Sequence, residues 1–252
     1  MREKCEATPD GAILYDESLG LHAHAGLFEP DFWQSQGAES SNDGPSRGRA
    51  LFIRQGQHRW VLKHYYRGGW AARLSNDRYL WTGEARVRSF REWRMLARLH
   101  DQGLPVPRPV AAAYRRRAGT YTSDLISARI RGARTLSERL LEDPAIEMPW
   151  PIIGRTLKRF HLAGACHPDL NAHNILLDED GGVHLLDFDK GRIRRQGPWC
   201  MANLSRLQRS LAKLDREHSI TRGSEGWNSL FEGYKRGGRK SRQFCRRIRA
   251  GR

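Results

Sequence analysis

The sequence predicts an α+β protein of two lobes, a small antiparallel-sheet N-lobe with one helix and a larger, mainly helical C-lobe. Three observations predict it. Between residues 50 and 126, short apolar runs alternate with turn residues, and one amphipathic stretch interrupts them. Beyond residue 127 the apolar spacing is mostly helical. Within that second part a single tight hairpin stands beside a loop rich in His, Asp and Asn. Strands gathered in one part of a chain and helices in the other define the α+β class. The expected divisions are an N-terminal extension over 1–44, the N-lobe over 45–126, the C-lobe over 127–235 and a basic tail over 236–252.

The elements follow in order. Residues 1–36 mix apolar and polar side chains with no strong period, and 37–50 (GAESSNDGPSRGRA) read as a loop. Ala50-Leu51-Phe52-Ile53 and His58-Arg59-Trp60-Val61-Leu62-Lys63 flank a Gln55-Gly56-Gln57 turn and form a hairpin. Residues 64–83, with Tyr65, Tyr66, Gly68, Gly69 and Trp70, read as an irregular insertion. From Ser89 to His100, Phe90, Trp93, Leu96 and Leu99 recur at helical spacing, and Gly103 stops the helix. Val110–Tyr114 and Tyr121–Ile126 are two further strands around a basic turn. Thr135-Leu136-Ser137-Glu138 has the spacing of a capping box, and Pro151 suits the first turn of the next helix. Ile175–Leu177 and Val183–Leu186 flank Glu179-Asp180-Gly181-Gly182, a short hairpin, and Ala202–Leu214 is expected to be the last amphipathic helix.

Composition narrows the function. Forty-four Lys and Arg against 28 Asp and Glu leave a formal charge of +16, which favours polyanions: nucleic acid, an anionic membrane surface or a phosphorylated substrate. The four cysteines are scattered without a C-x-x-C pair, which argues against a zinc site or disulfide framework and suits a reducing cytoplasm. The N-terminal stretch has no apolar run of a signal peptide, and no run approaches the length of a spanning helix.

The chemistry concentrates in His167-Pro168-Asp169-Leu170-Asn171-Ala172-His173-Asn174 and in Asp187-Phe188-Asp189, which lie at the two ends of the second hairpin. Phosphoryl transfer needs a carboxylate to accept the acceptor's hydroxyl proton, and oxygen ligands for Mg²⁺ on a triphosphate. Asp169 fits the base, and Asn174 and Asp187 fit the metal ligands. The spacing matches the H-x-D-L-x-x-x-N and D-F-x pattern of the kinase superfamily. Upstream, Lys63 fits the cation that holds the ATP phosphates, with Glu92 as its partner and Glu84 as the rival. Gly48, in Gly44-x-x-x-Gly48, stands where a phosphate-covering loop would run. His167 is expected to hold the loop backbone rather than a metal. Lys190, Arg192, Arg194 and Arg195 form a solvated basic run or a grip on an anionic acceptor.

Two positions depart from protein kinases. Asn171 stands where they carry Lys two residues after the base, so the γ-phosphate contact there must differ. Asp189 stands where they carry Gly, and no A-P-E segment follows, which points away from protein substrates.

The blocks HPDLNAHNILLDEDGGVHLLDFDKGRIR, FREWRMLARLHDQGLPVPRPVAA and WCMANLSRLQRSL resemble the 3-deoxy-D-manno-octulosonic acid (Kdo) kinase family, which belongs with the lipopolysaccharide core heptose kinases. The resemblance runs from about residue 45 to 235 and implies a protein-kinase-like fold. It further implies ATP and Mg²⁺ as co-substrate and metal, with Asp169 as base. The acceptor would be the 4-hydroxyl of Kdo on the lipid A precursor, met by a peripheral protein at the cytoplasmic face of the bacterial inner membrane. The expected partners are that lipid and an anionic membrane surface, with no nucleic acid and no obligate protein partner. Two other readings remain open at this stage. One is a kinase of the same fold acting on heptose or another small-molecule hydroxyl. The other is a basic pseudokinase or nucleic-acid-binding module, with Tyr65, Tyr66 and Trp70 near Arg67 as its stacking residues. The full set Lys63, Asp169, Asn174 and Asp187 argues against the pseudokinase.

Overall fold

A computed structural model of the chain describes residues 1–41, 50–66, 77–142 and 146–249, and divides it into two units. The first is Met1–Gly103 with Pro107–Ile130, and the second is Leu104–Val106 with Arg131–Arg252.

The first unit runs β1 (Glu3–Thr8), β2 (Gly11–Asp16), α1 (Pro30–Ser35), β3 (Glu39–Ser41), β4 (Ala50–Gln55), β5 (His58–His64), β6 (Tyr79–Leu80), α2 (Arg88–Asp101), β7 (Pro109–Arg117) and β8 (Thr120–Ala128). The strands form one antiparallel sheet in the order β1-β2-β7-β8-β5-β4-β3, with β6 paired to β8. Residues 1–41, expected as an extension, are strands and helices of this unit. On β5, Trp60 and Leu62 point to one face, where they join Ile13, Leu27, Phe28, Trp33, Ile53 and Ile126 in a buried cluster. The Trp33 indole N–H donates to the Leu27 carbonyl at 2.9 Å, so the residues before β3 cap this face of the sheet. Alternation turns Lys63 to the opposite face, where α2 packs on β7 and β8. Within the insertion expected at 64–83, the Tyr65 N–H donates to the Ser123 carbonyl at 3.0 Å, and Tyr79–Leu80 adds a strand.

The second unit runs β9 (Arg134–Thr135), α3 (Leu136–Leu141), α4 (Trp150–Leu162), β10 (Ala165–Cys166), β11 (Ile175–Leu177), β12 (Val183–Leu185), β13 (Arg192–Ile193), α5 (Trp199–His218) and α6 (Arg222–Arg249). The capping box is formed: the Glu138 N–H donates to Thr135 Oγ1 at 3.1 Å and the Thr135 N–H to Glu138 Oε2 at 2.8 Å. Ala202–Leu214 lies inside α5 but is not the last helix, because α6 follows it. Gly226, Gly233 and Gly237 lower the helix propensity of α6, but the packing against α4 needs them. A Cβ on Gly154 of α4 would lie 1.9 Å from the Leu230 carbonyl oxygen of α6, and one on Gly233 would lie 2.3 Å from that of Pro151. The two backbones therefore touch at a separation only glycine permits.

His161 lies in the same joint, its Nδ1 2.8 Å from the Tyr234 hydroxyl and its ring edge-on to Trp199. Burial lowers its pKa to about 4, so the ring is neutral at pH 7.

Gly154→Ala should lower stability although Ala is the better helix former by about 1 kcal/mol. Forcing the backbones apart costs about 1–3 kcal/mol, and each kcal/mol moves Tm by about 2–4 °C at this size. A thermal melt with Tm unchanged or raised would contradict the contact. His161 makes a second test. The unfolded ring takes up a proton below about pH 6.5, and the folded ring only near pH 4. Its contribution to stability is therefore complete above about pH 6.5 and drains away as the pH falls toward 4. Urea unfolding across that range should show a shallower loss in His161→Gln than in wild type, and parallel curves would refute the assignment.

Candidate active site

The residues that the sequence assigns to nucleotide lie in the first unit. Lys63, near the end of β5, places Nζ 3.0 Å from Glu92 Oε2 and 3.4 Å from Oε1. Glu92 belongs to the buried stripe of α2 with Phe90, Trp93 and Leu96, and its side chain is 3% exposed against 30% for Lys63. A carboxylate so buried requires a cation, and Lys63 supplies it. Tyr65 completes the group by donating its hydroxyl to Glu92 Oε2, with its ring centroid 4.7 Å from Lys63 Nζ. Glu84 instead accepts from the Tyr114 hydroxyl at 2.9 Å, so it is not the partner of Lys63. Tyr65 is buried and bonded to Glu92, which removes it from the stacking surface that nucleic-acid binding would need. Gly48, with Arg67 and Trp70, lies outside the described residues.

The second unit holds the remaining candidates, and His167 organises them. The His167 ring is buried, with Nε2 2.6 Å from the Leu186 carbonyl oxygen and Nδ1 accepting the Asp169 N–H at 3.1 Å. Those partners fit the neutral ring with its proton on Nε2. Burial lowers its pKa below the ordinary value, against the pull of the Leu186 carbonyl. The expected backbone-holding role is the one observed.

Asp169 projects outward, its side chain 59% exposed. Arg206 Nη1 donates to its Oδ1 at 3.0 Å and Asn171 Nδ2 to its Oδ2 at 3.1 Å. Asn171 Oδ1 also accepts the N–H groups of His173 and Asn174, at 2.9 and 3.1 Å, which folds the loop into a 3-10 turn. Asn174 Nδ2 donates to the Asp169 carbonyl at 2.9 Å, leaving its Oδ1 as the acceptor atom. The Leu186 N–H donates to the Asn174 carbonyl at 2.9 Å, so β11 and β12 bring the loop beside Asp187. Asp187 adopts φ +60°, a left-handed conformation that costs a non-glycine residue about 1 kcal/mol and is retained where surrounding contacts impose it. Phe188, against Phe160 and His167, anchors that turn in the core.

An amide oxygen and a carboxylate are hard donors of the kind Mg²⁺ takes, with the balance supplied by phosphates and water. Among the described residues no group of three His, Cys, Asp or Glu side chains converges on a metal site.

Three residues of α5 that the sequence reading did not single out also hold this loop. Asn203 accepts the His167 N–H at 3.2 Å and donates to the His167 carbonyl at 2.9 Å, Arg206 reaches Asp169, and Ser210 accepts the Ala172 N–H at 3.2 Å. Their spacing of three and seven places them on one helix face. Arg192, Arg194 and Arg195 are exposed, and Arg192 pairs in register with Cys166 on β10.

Known proteins resemble the chain over most of its length. Residues 30–234 match the model of the lipopolysaccharide kinase (Kdo/WaaP) family. A 3-deoxy-D-manno-octulosonic acid kinase of Stenotrophomonas maltophilia is 44% identical over 225 residues, 89% of each chain. Proteins of the same name from Xanthomonas oryzae pv. oryzae and Xylella fastidiosa are 41% and 39% identical, covering 90% and 91% of this chain and 87% and 92% of theirs. The solved structure "WaaP in complex with acyl carrier protein" aligns at TM-score 0.49 and 15% identity, over 94% of this chain and 96% of that one. With its sheet unit, its helical unit and the loop and hairpin between β10 and β13, the chain belongs to the lipopolysaccharide kinase (Kdo/WaaP) family and has its protein-kinase-like fold.

Proposed function

We propose that the chain transfers the γ-phosphoryl group of ATP to the 4-hydroxyl of Kdo on the lipid A precursor. The observation that carries the chemistry is the exposed Asp169 carboxylate, fixed by His167, Asn171 and Arg206 beside Asn174. The relatives named as Kdo kinases carry the acceptor.

In this reading Lys63, held by Glu92 and Tyr65, contacts the α- and β-phosphates. Asn174 and Asp187 would hold Mg²⁺, which would neutralise charge on the triphosphate. Asp169 accepts the proton of the acceptor hydroxyl as that oxygen bonds to the γ-phosphorus. The bond from phosphorus to the bridging oxygen breaks, and ADP leaves. Exposed Arg192, Arg194 and Arg195 supply positive charge for an acceptor bearing carboxylate and phosphate groups.

Among the described residues no helix is long and apolar enough to cross a membrane. A formal charge of +16 and the basic sequence of 236–252 favour an anionic lipid surface. ATP as co-substrate puts the reaction on the cytoplasmic face.

Wild type should transfer label from γ-labelled ATP to Kdo-bearing lipid A precursor. Asp169→Asn should lose about 10²- to 10⁴-fold in turnover, with ATP affinity by titration unchanged. An equal loss of ATP affinity would remove Asp169 from the role of base. Asp187→Asn tolerates the left-handed backbone but lacks the charge. Loss of an outer partner alone costs about 10- to 100-fold in metal affinity, so the Mg²⁺ needed for half-activity should rise at least that much. An unchanged Mg²⁺ dependence would remove Asp187 from the metal site.

A further inference from the structure

The position two residues after Asp169 poses a problem of charge. The migrating phosphoryl group spreads negative charge over its equatorial oxygens, and a cation beside the base lowers the barrier. Asn171 is neutral, and its side chain is committed: Oδ1 accepts two backbone N–H groups and Nδ2 donates to Asp169 Oδ2.

We propose that Arg206, reaching Asp169 from α5, supplies the cation that the γ-phosphoryl group meets during transfer. The inference rests on the kinase reading above but not on the identity of the acceptor.

Position supports it first. Arg206 Nη1 lies 3.0 Å from Asp169 Oδ1. The acceptor hydroxyl must come within about 2.6–3.2 Å of Asp169 to give up its proton. The phosphorus it attacks lies about 3–3.5 Å beyond that oxygen. When the acceptor oxygen enters on the Arg206 side of Asp169, the equatorial phosphoryl oxygens come within reach of the guanidinium. Capacity is the second support. Among the described residues Asp169 is the one hydrogen-bond partner of Arg206, and a guanidinium has five N–H donors, so its others remain for phosphoryl oxygens. Rigidity is the third. Asn203 and Ser210, on the same face of α5, bond to the loop on either side of Asp169, so the guanidinium is carried on a platform already fixed to the base.

Stability does not account for the pair. The side chains of Arg206 and Asp169 are 50% and 59% exposed, and an ion pair so exposed contributes little to stability. Removing it should leave the fold intact.

A residue that merely positions Asp169 and one that touches the phosphoryl group separate when Asp169 is already gone. Acceptor-free ATP hydrolysis and lipid phosphorylation would be measured for wild type, Arg206→Gln, Arg206→Lys, Asp169→Asn and the Asp169→Asn, Arg206→Gln double variant. Arg206→Gln should lower kcat about 10²- to 10³-fold in both reactions with KM for ATP unchanged. The same loss should recur on the Asp169→Asn background, and Arg206→Lys should recover part of it at wild-type Tm. No further loss in the double variant would overturn the inference and leave Arg206 a positioning residue. Full activity of Arg206→Gln beside an active wild type overturns it as well. A wild type that turns over no ATP overturns the kinase reading, and this inference with it.

Discussion

His167 is buried with both ring nitrogens committed, one to the Leu186 carbonyl and one to the Asp169 amide, and the geometry of the loop that carries Asp169 is referred to that ring. Its backbone is clamped at both ends by Asn203. The residue ties three pieces of chain distant in sequence: its ring joins the loop that presents Asp169 to the strand end that leads into Asp187, and its backbone joins both to α5. Only the neutral ring can donate from one nitrogen while accepting at the other, and burial keeps it neutral. An unpaired polar group at this depth would cost about 1–3 kcal/mol, so the three pieces are held together or lost together.

From that ring outward the polar groups are used economically. Asn171 folds the loop with its oxygen and steadies Asp169 with its amide. Asn174 spends its amide on the Asp169 carbonyl and keeps its oxygen. Asp187 is held at positive φ between the core-anchored Phe188 and the strand that ends at Leu185. The first unit solves a separate problem by the same means. Glu92 would be an intolerable buried charge alone, but Lys63 and Tyr65 make it a fixed support for a cation that stays partly exposed.

Much of this was legible in the sequence because periodicity and turn chemistry are local. The Ala50–Lys63 hairpin, α2, the Thr135 capping box and the Asp169-to-Asp187 segment all stand where the spacing places them, within the extra turn or strand residues that tertiary pairing adds. What was not legible depends on partners far away in the chain. β1 and β2 have weak periods because β2 is buried on both faces and β1 is an exposed edge, so neither alternates cleanly. α6 is rich in glycine, and only the approach of α4 explains why it remains helical. Asn203, Arg206 and Ser210 lie beside the leucine stripe of α5, and the signal was their own helical spacing along a polar face. Tyr65 read as part of a loop because its partner, Glu92, is 27 residues away.

The central claim, a kinase whose Asp169 is aimed at one hydroxyl of a lipid-linked sugar acid, is tested most directly by locating the phosphate in the product. Purified protein, ATP and Kdo-bearing lipid A precursor would be combined, and the product examined by phosphorus–proton correlation NMR. The account predicts a single new phosphomonoester on the 4-hydroxyl of Kdo. A phosphate on another hydroxyl, or product formed only from heptose-bearing cores, would contradict it.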